Sequence, residues 1–64
     1  STELPAAYLL LARIYSEGMR DDAKALMILD FVLERHPGQA LAGDIANYRK
    51  VIQSLQDTSA TIAA

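Results

Sequence analysis

Apolar side chains crowd the segment AYLLLARIYSEG, Ala7 to Gly18, and point in more directions than one side of a helix offers. Pro5 suits the first turn of a helix, and Gly18 suits a C-terminus that needs a residue tolerant of positive φ. The pattern therefore predicts a first helix from about Leu4 to Glu17. Its apolar surface exceeds what one small core needs.

A second apolar run, AKALMILDFVLER, follows two acidic residues. Asp21 and Asp22 supply acceptors and negative charge at the start of a helix, where free N–H groups need them. His36 precedes Pro37 and is biased out of the α region. The second helix is expected from about Asp21 to Arg35.

A third stretch places apolar residues at alternating steps of four and three, the spacing of one helical stripe. These residues are Leu41, Ile45, Tyr48, Ile52 and Leu55. The pattern predicts a third helix that reaches about Gln56. The segment 58–64 lacks this period, and we expect it to be a frayed tail.

The predicted fold is all-α, because no β pattern competes anywhere along the chain. Short links around Gly18 to Arg20 and Pro37 to Gln39 fold neighbouring helices back antiparallel. We expect residues 1–57 to form a single three-helix domain that is a fragment of a larger protein, since 64 residues bury a small core.

Composition narrows the classes of partner. The chain is 52% hydrophobic with a formal net charge of −2, which argues against disorder and against nucleic-acid binding. Its apolar runs fall short of the roughly 20 residues that a membrane span requires. There is no cysteine, so a disulfide framework and a thiolate metal site are excluded, and the compartment stays open.

The first two helices carry the spacing of a known repeat. Four residues of the first helix follow the pattern W-x2-L-G-x2-Y, with Tyr for Trp and Ala for Gly. They are Tyr8, Leu11, Ala12 and Tyr15. The second helix continues the pattern with Ala25, Leu29, Val32 and Pro37. Residues 4–37 thus resemble a tetratricopeptide repeat (TPR), although the loop between the helices is one residue longer than usual and the third helix departs from the pattern.

The resemblance implies a helical hairpin that binds other proteins. Small residues, Ala12 and Ala25, would lie where the two helices cross closely. In TPR proteins the first helix of a repeat lines a peptide-binding groove, and the corresponding positions here are Leu9, Arg13 and Ser16. The carboxylate-clamp subclass has lysine and asparagine where this chain has Leu9 and Arg13, so the resemblance does not extend to that clamp.

The second helix offers another candidate surface. Met27 and Phe31, one turn apart, form an apolar ridge beyond the inner face, and charged residues flank it. The sequence favours a non-enzymatic interaction or assembly module, or scaffold, that binds a partner protein or peptide through the first helix or this ridge. The alternative is a self-associating bundle that oligomerises a larger protein through the ridge or the third-helix stripe. A third possibility is that the surplus side chains simply fill a three-helix core.

Chemistry-bearing residues are few, and we expect no enzyme, cofactor or metal site. His36 is the only histidine and sits at a helix C-terminus, where an imidazolium meets the last carbonyls favourably. Asp21 and Asp22 fit a helix cap better than a metal site. No nucleophile, base and orienting group occur as a set.

Overall fold

A computed structural model describes residues 3–63, and the side chains of residues 3–58. Over this range the protein is all-α, as the sequence predicts, with helices α1 (Glu3–Arg13), α2 (Asp22–Arg35) and α3 (Ala42–Ala63) and no strand. None of the described helices combines the length and the apolarity needed to cross a bilayer.

The first helix ends in a π-helical turn, Ile14–Gly18, rather than in a glycine cap. The Met19 N–H donates to the Ile14 carbonyl at 3.0 Å, which closes the wider turn. The expectation of positive φ at Gly18 is wrong, because Arg20 adopts it instead, at φ 55°. The π turn keeps the chain right-handed through Met19, so the reversal falls just before α2.

The second helix has the boundaries and cap that the sequence predicts to within one residue. The Asp21 carboxylate accepts a hydrogen bond from the Lys24 N–H at 3.1 Å. Asp22 instead accepts from the Ser16 hydroxyl at 2.7 Å, which joins the first turn of α2 to the π turn. At the other end His36 leaves the helical region at φ −134°, ψ 58°, immediately before proline.

The third helix is longer than predicted. It begins at Ala42 after a turn in which the Gln39 side chain accepts from the Leu41 N–H at 2.7 Å. The predicted end at Gln56 is wrong, because α3 continues to Ala63 through the segment expected to fray. This segment has lost the apolar period but contains no glycine or proline to stop a helix. Ala64 lies outside the described residues.

The core lies where the three helices meet. Ala12 and Ala25 are fully buried, as expected for small residues that let α1 and α2 approach closely. Larger apolar side chains complete the buried cluster. They are Leu29, Val32, Ile45 and Ile52.

Two apolar residues that the sequence assigned to inner faces are exposed instead. Leu55 is 56% exposed at the end of the third-helix stripe, and Leu11 is 39% exposed. With Ala12 in the contact, the inner line of α1 runs through Pro5, Leu9 and Ala12 at steps of four and three. Leu11 lies about 100° around the helix from Ala12 and falls at the edge of the contact.

Polar contacts fix α3 against the other elements. The Arg49 guanidinium forms an ion pair with Asp30 of α2. The Tyr48 hydroxyl donates to the Glu17 carboxylate at 2.6 Å, which connects α3 to the π turn. Both contacts are close to the surface, so we expect them to set the register of α3 more than to supply stability.

Candidate interaction surface

An apolar groove runs between α1 and α2 and opens to solvent, with a volume of about 450 Å³. We call it the α1–α2 groove. The residues that line it are Tyr8, Leu11, Tyr15, Lys24, Met27, Ile28 and Phe31. Its α1 wall consists of residues three or four apart, because such residues share one side of a helix.

Aromatic packing shapes the groove. The rings of Tyr8 and Phe31 meet edge to face across it, with centroids 5.6 Å apart and planes at 62°. This is a favourable geometry for two aromatic rings, and it restricts the rotamers of both side chains. The groove is therefore held in shape by its own residues.

The apolar side chains of the groove remain accessible. Met27 is 69% exposed and Phe31 is 41% exposed, which makes this the ridge that the sequence indicated on α2. Leu11 faces it from α1. Accessible apolar side chains on two facing walls can contact a ligand from both sides at once.

Two cations lie over rings of the groove, one toward each end of α2. The Lys24 ammonium nitrogen is 5.3 Å from the centroid of the Tyr15 ring. The Arg35 guanidinium carbon is 5.0 Å from the centroid of the Phe31 ring. Cation–π contacts of this kind hold the charges above the apolar surface while leaving them hydrated.

The three groove positions implied by the TPR resemblance lie elsewhere on α1 and its π turn. Leu9 is half-buried and packs against the core. Ser16 is half-buried and donates to Asp22. Arg13 is exposed and contacts Glu17 four residues on, with 3.4 Å between Nε and Oε2. None of the three lines the α1–α2 groove.

A second hollow, of about 460 Å³, lies between the π turn, the start of α2 and the exposed Leu55 of α3. A hydrogen bond from the Tyr48 hydroxyl, assisted by the charge of Arg13, lowers the pKa of the Glu17 carboxyl beside it. The pKa of Tyr48 is raised, mainly because the hydroxyl is partly buried and secondly because it donates this hydrogen bond. Because Glu17 and Tyr48 are each other's hydrogen-bond partners, we interpret this hollow as part of the contact between the π turn and α3 and not as a ligand site.

The sequence missed the α1 wall of the groove. Tyr8, Leu11 and Tyr15 form an apolar stripe that was assigned to the inner face. Tyr8 and Tyr15 do pack against the buried cluster, but they also line the open groove, where Leu11 is exposed. Ala12 was the available signal, because the smallest residue of an apolar helix marks the closest approach of another backbone.

The groove offers apolar contact and positive charge rather than reacting groups. Among the described residues, no group of three or more histidine, cysteine or carboxylate side chains is arranged to hold a metal ion. His36 lies at the end of α2, where its own backbone N–H donates to the Val32 carbonyl at 2.8 Å.

Comparison with protein-family models, curated proteins and solved structures finds no match for this chain.

Proposed function

We propose that this chain is a non-enzymatic protein-interaction module of TPR type, and that the α1–α2 groove binds a helix or peptide of a partner protein. The observation that carries the proposal is the open, two-walled apolar groove with Leu11, Met27 and Phe31 accessible in it. Its role would be assembly or scaffolding, in which affinity depends on apolar contact.

The composition of the groove supports recognition of protein. Aromatic residues and methionine are enriched where proteins bind one another, and tyrosine combines a large apolar area with a polar end. A groove between two helices is also the geometry that receives the apolar side of a third helix, through residues spaced three and four apart.

Two features support the TPR-type form of the proposal. Ala12 and Ala25 are buried in the core, where α1 and α2 are in contact, and a third helix packs beside α2. Hairpins of this kind leave apolar surface that a neighbouring element must cover. A self-associating bundle would use the same surface, and it remains the second candidate because the groove is apolar on both walls.

The proposal is tested by selecting ligands for the intact chain from a displayed library of helical peptides. Peptides that bind the parent should lose about tenfold in affinity for Met27→Gln, because placing a polar amide where the ligand buries an apolar side chain costs on the order of 1.5 kcal/mol. Met19→Gln is the matched control, since Met19 is 64% exposed and lies outside the groove.

Selection that enriches no peptide above background would contradict the proposal. Equal effects of the two methionine substitutions would contradict it as well. Sedimentation at increasing concentration identifies the second candidate: an oligomer that Met27→Gln dissociates and Met19→Gln leaves intact would show that a second copy occupies the groove.

A further inference from the structure

The positions of the charges indicate what the groove binds. We infer that its occupant is an acidic amphipathic helix of another protein, whose apolar side enters the groove and whose carboxylates meet Lys24 and Arg35. This inference rests on the proposed function and adds to it the chemical class of the ligand.

The two cations define a distance along the groove. Lys24 and Arg35 lie 11 residues apart on one helix (35 − 24), which corresponds to about 16 Å at a rise of 1.5 Å per residue. Each is held over an aromatic ring that lines the groove. A ligand helix aligned with α2 would therefore meet positive charge at two points about three turns apart.

No carboxylate is among the residues that line the groove, and Lys24 is the one charged side chain in that lining. Of the acids close to the groove on α2, Asp30 pairs with Arg49, whereas Glu34 is exposed beside Arg35 and outside the lining. Glu17 pairs with Arg13 and Tyr48. The lining of the groove thus carries one positive charge and no negative charge, on a chain whose formal net charge is −2. Such local charge selects an anionic partner and disfavours a cationic one.

The α1 wall determines the chemistry of the ligand side that faces it. Tyr8, Leu11 and Tyr15 present no formal charge, so the side of the ligand that faces α1 must be apolar. A helix with an apolar stripe and carboxylates along its α2-facing edge satisfies both walls.

The same charges disfavour a second copy as the occupant. Two copies docked groove to groove about a two-fold axis would bring Lys24 and Arg35 of both chains to one apolar strip. The lining offers them no carboxylate there. Like charges in an interface carry a penalty that an acidic ligand avoids.

Three synthetic helical peptides test the inference with the whole chain. They share one apolar stripe and differ at two flanking positions 11 residues apart, which carry glutamate, glutamine or lysine. Fluorescence anisotropy should rank affinity as glutamate, then glutamine, then lysine, with about tenfold between the extremes. Raising the ionic strength should compress that range, because salt screens exposed charge pairs.

Charge reversal on the protein supplies the second arm. Lys24→Glu should remove or invert the preference for the glutamate peptide. Lys50→Glu makes the same charge change at an exposed position on α3 outside the groove, and it should preserve the order. Circular dichroism should show the same helix content for both variants as for the parent.

The outcomes separate this inference from the proposed function. If the lysine peptide binds the parent as tightly as the glutamate peptide, the acidic-ligand inference is overturned and the groove remains a protein-binding site. If Lys24→Glu and Lys50→Glu change the order equally, the preference comes from net charge and the inference also fails. If none of the peptides binds and library selection also yields nothing, both fail.

Discussion

At the scale of residues, the small side chains of Ala12 and Ala25 decide the orientation of α1. Ala12 and Ala25 are both completely buried, and the large side chains around them fill the remaining space. A methyl group lets two helix backbones approach, whereas a larger residue at the same point would hold them apart. The orientation of α1 then leaves Leu11 accessible in the groove.

Enlarging either buried alanine should destabilise the protein. Ala12→Leu and Ala25→Leu are each expected to cost about 1 to 3 kcal/mol, because extra methylenes in a packed contact force side chains and backbone to shift. Ala7→Leu, at an exposed position of α1, is the control and should change stability by less than about 0.5 kcal/mol. Urea unfolding followed by circular dichroism measures the differences. Equal stabilities of all three variants would show that the crossing lies elsewhere.

At the scale of elements, hydrogen bonds from side chains join helices that share limited apolar contact. Ser16 of the π turn binds Asp22 of α2, and Glu17 of the same turn binds Tyr48 of α3. The π turn is thus the element from which side chains reach both other helices. Its wider winding places Ser16 and Glu17 for these contacts while Tyr15 still lines the groove.

The contact between Tyr48 and Glu17 should make stability depend on pH. Since the folded-state pKa of Glu17 lies below its ordinary 4.5, its contribution is present above that pH and is lost as pH falls through the lowered value. Tyr48→Phe removes the donor, so the variant should be less stable than the parent at pH 7. The difference in free energy of unfolding between the parent and Tyr48→Phe should decrease as the solution is acidified below pH 4.5.

Urea unfolding from pH 7 to pH 3 measures this narrowing. Glu17→Gln should likewise lack the part of the pH dependence of stability that Glu17 contributes, because it removes the titrating group. Tyr8→Phe makes the same chemical change in the groove and should follow the parent's profile. Parallel profiles for the parent and Tyr48→Phe would mean that the hydrogen bond does not contribute.

At the scale of the whole molecule, stability and binding are coupled. The fully buried apolar cluster is small, and apolar side chains on three helices stay exposed, among them Leu10, Phe31 and Val51. A chain of 64 residues buries only about 60% of its unfolded surface and is marginally stable. Covering the α1–α2 groove would add burial that the isolated chain lacks.

Ligand binding should therefore raise stability measurably. At a free concentration of 100 times Kd, the glutamate peptide is expected to add about 2.7 kcal/mol to the free energy of unfolding. For Met27→Gln at the same peptide concentration, tenfold weaker binding lowers this gain by about 1.3 kcal/mol. Urea midpoints with and without peptide provide the measurement. An unchanged midpoint despite measured binding would show that the peptide binds the unfolded chain equally well.

The sequence by itself determined the all-α class and most helix boundaries. These depend on neighbours along the chain: the Asp21 cap, the restriction that Pro37 places on His36, and the apolar period of each helix. It also identified Ala12 and Ala25 as contact residues, because small size is a property of the residue itself. The exposure of Met27 and Phe31 was predictable for a similar reason, since α2 had an adequate inner face without them.

The tertiary structure alone decided how far each apolar side chain of α1 is covered. Tyr8 and Leu9 both lie at helical spacing from Ala12, so periodicity could not rank them. Close approach of α2 at Ala12 covers Tyr8, Leu9 and Tyr15 in part and leaves Leu11 exposed at the edge of the groove. The positive φ of Arg20 likewise depends on how the π turn joins α2, a constraint between two elements that no single helix pattern contains.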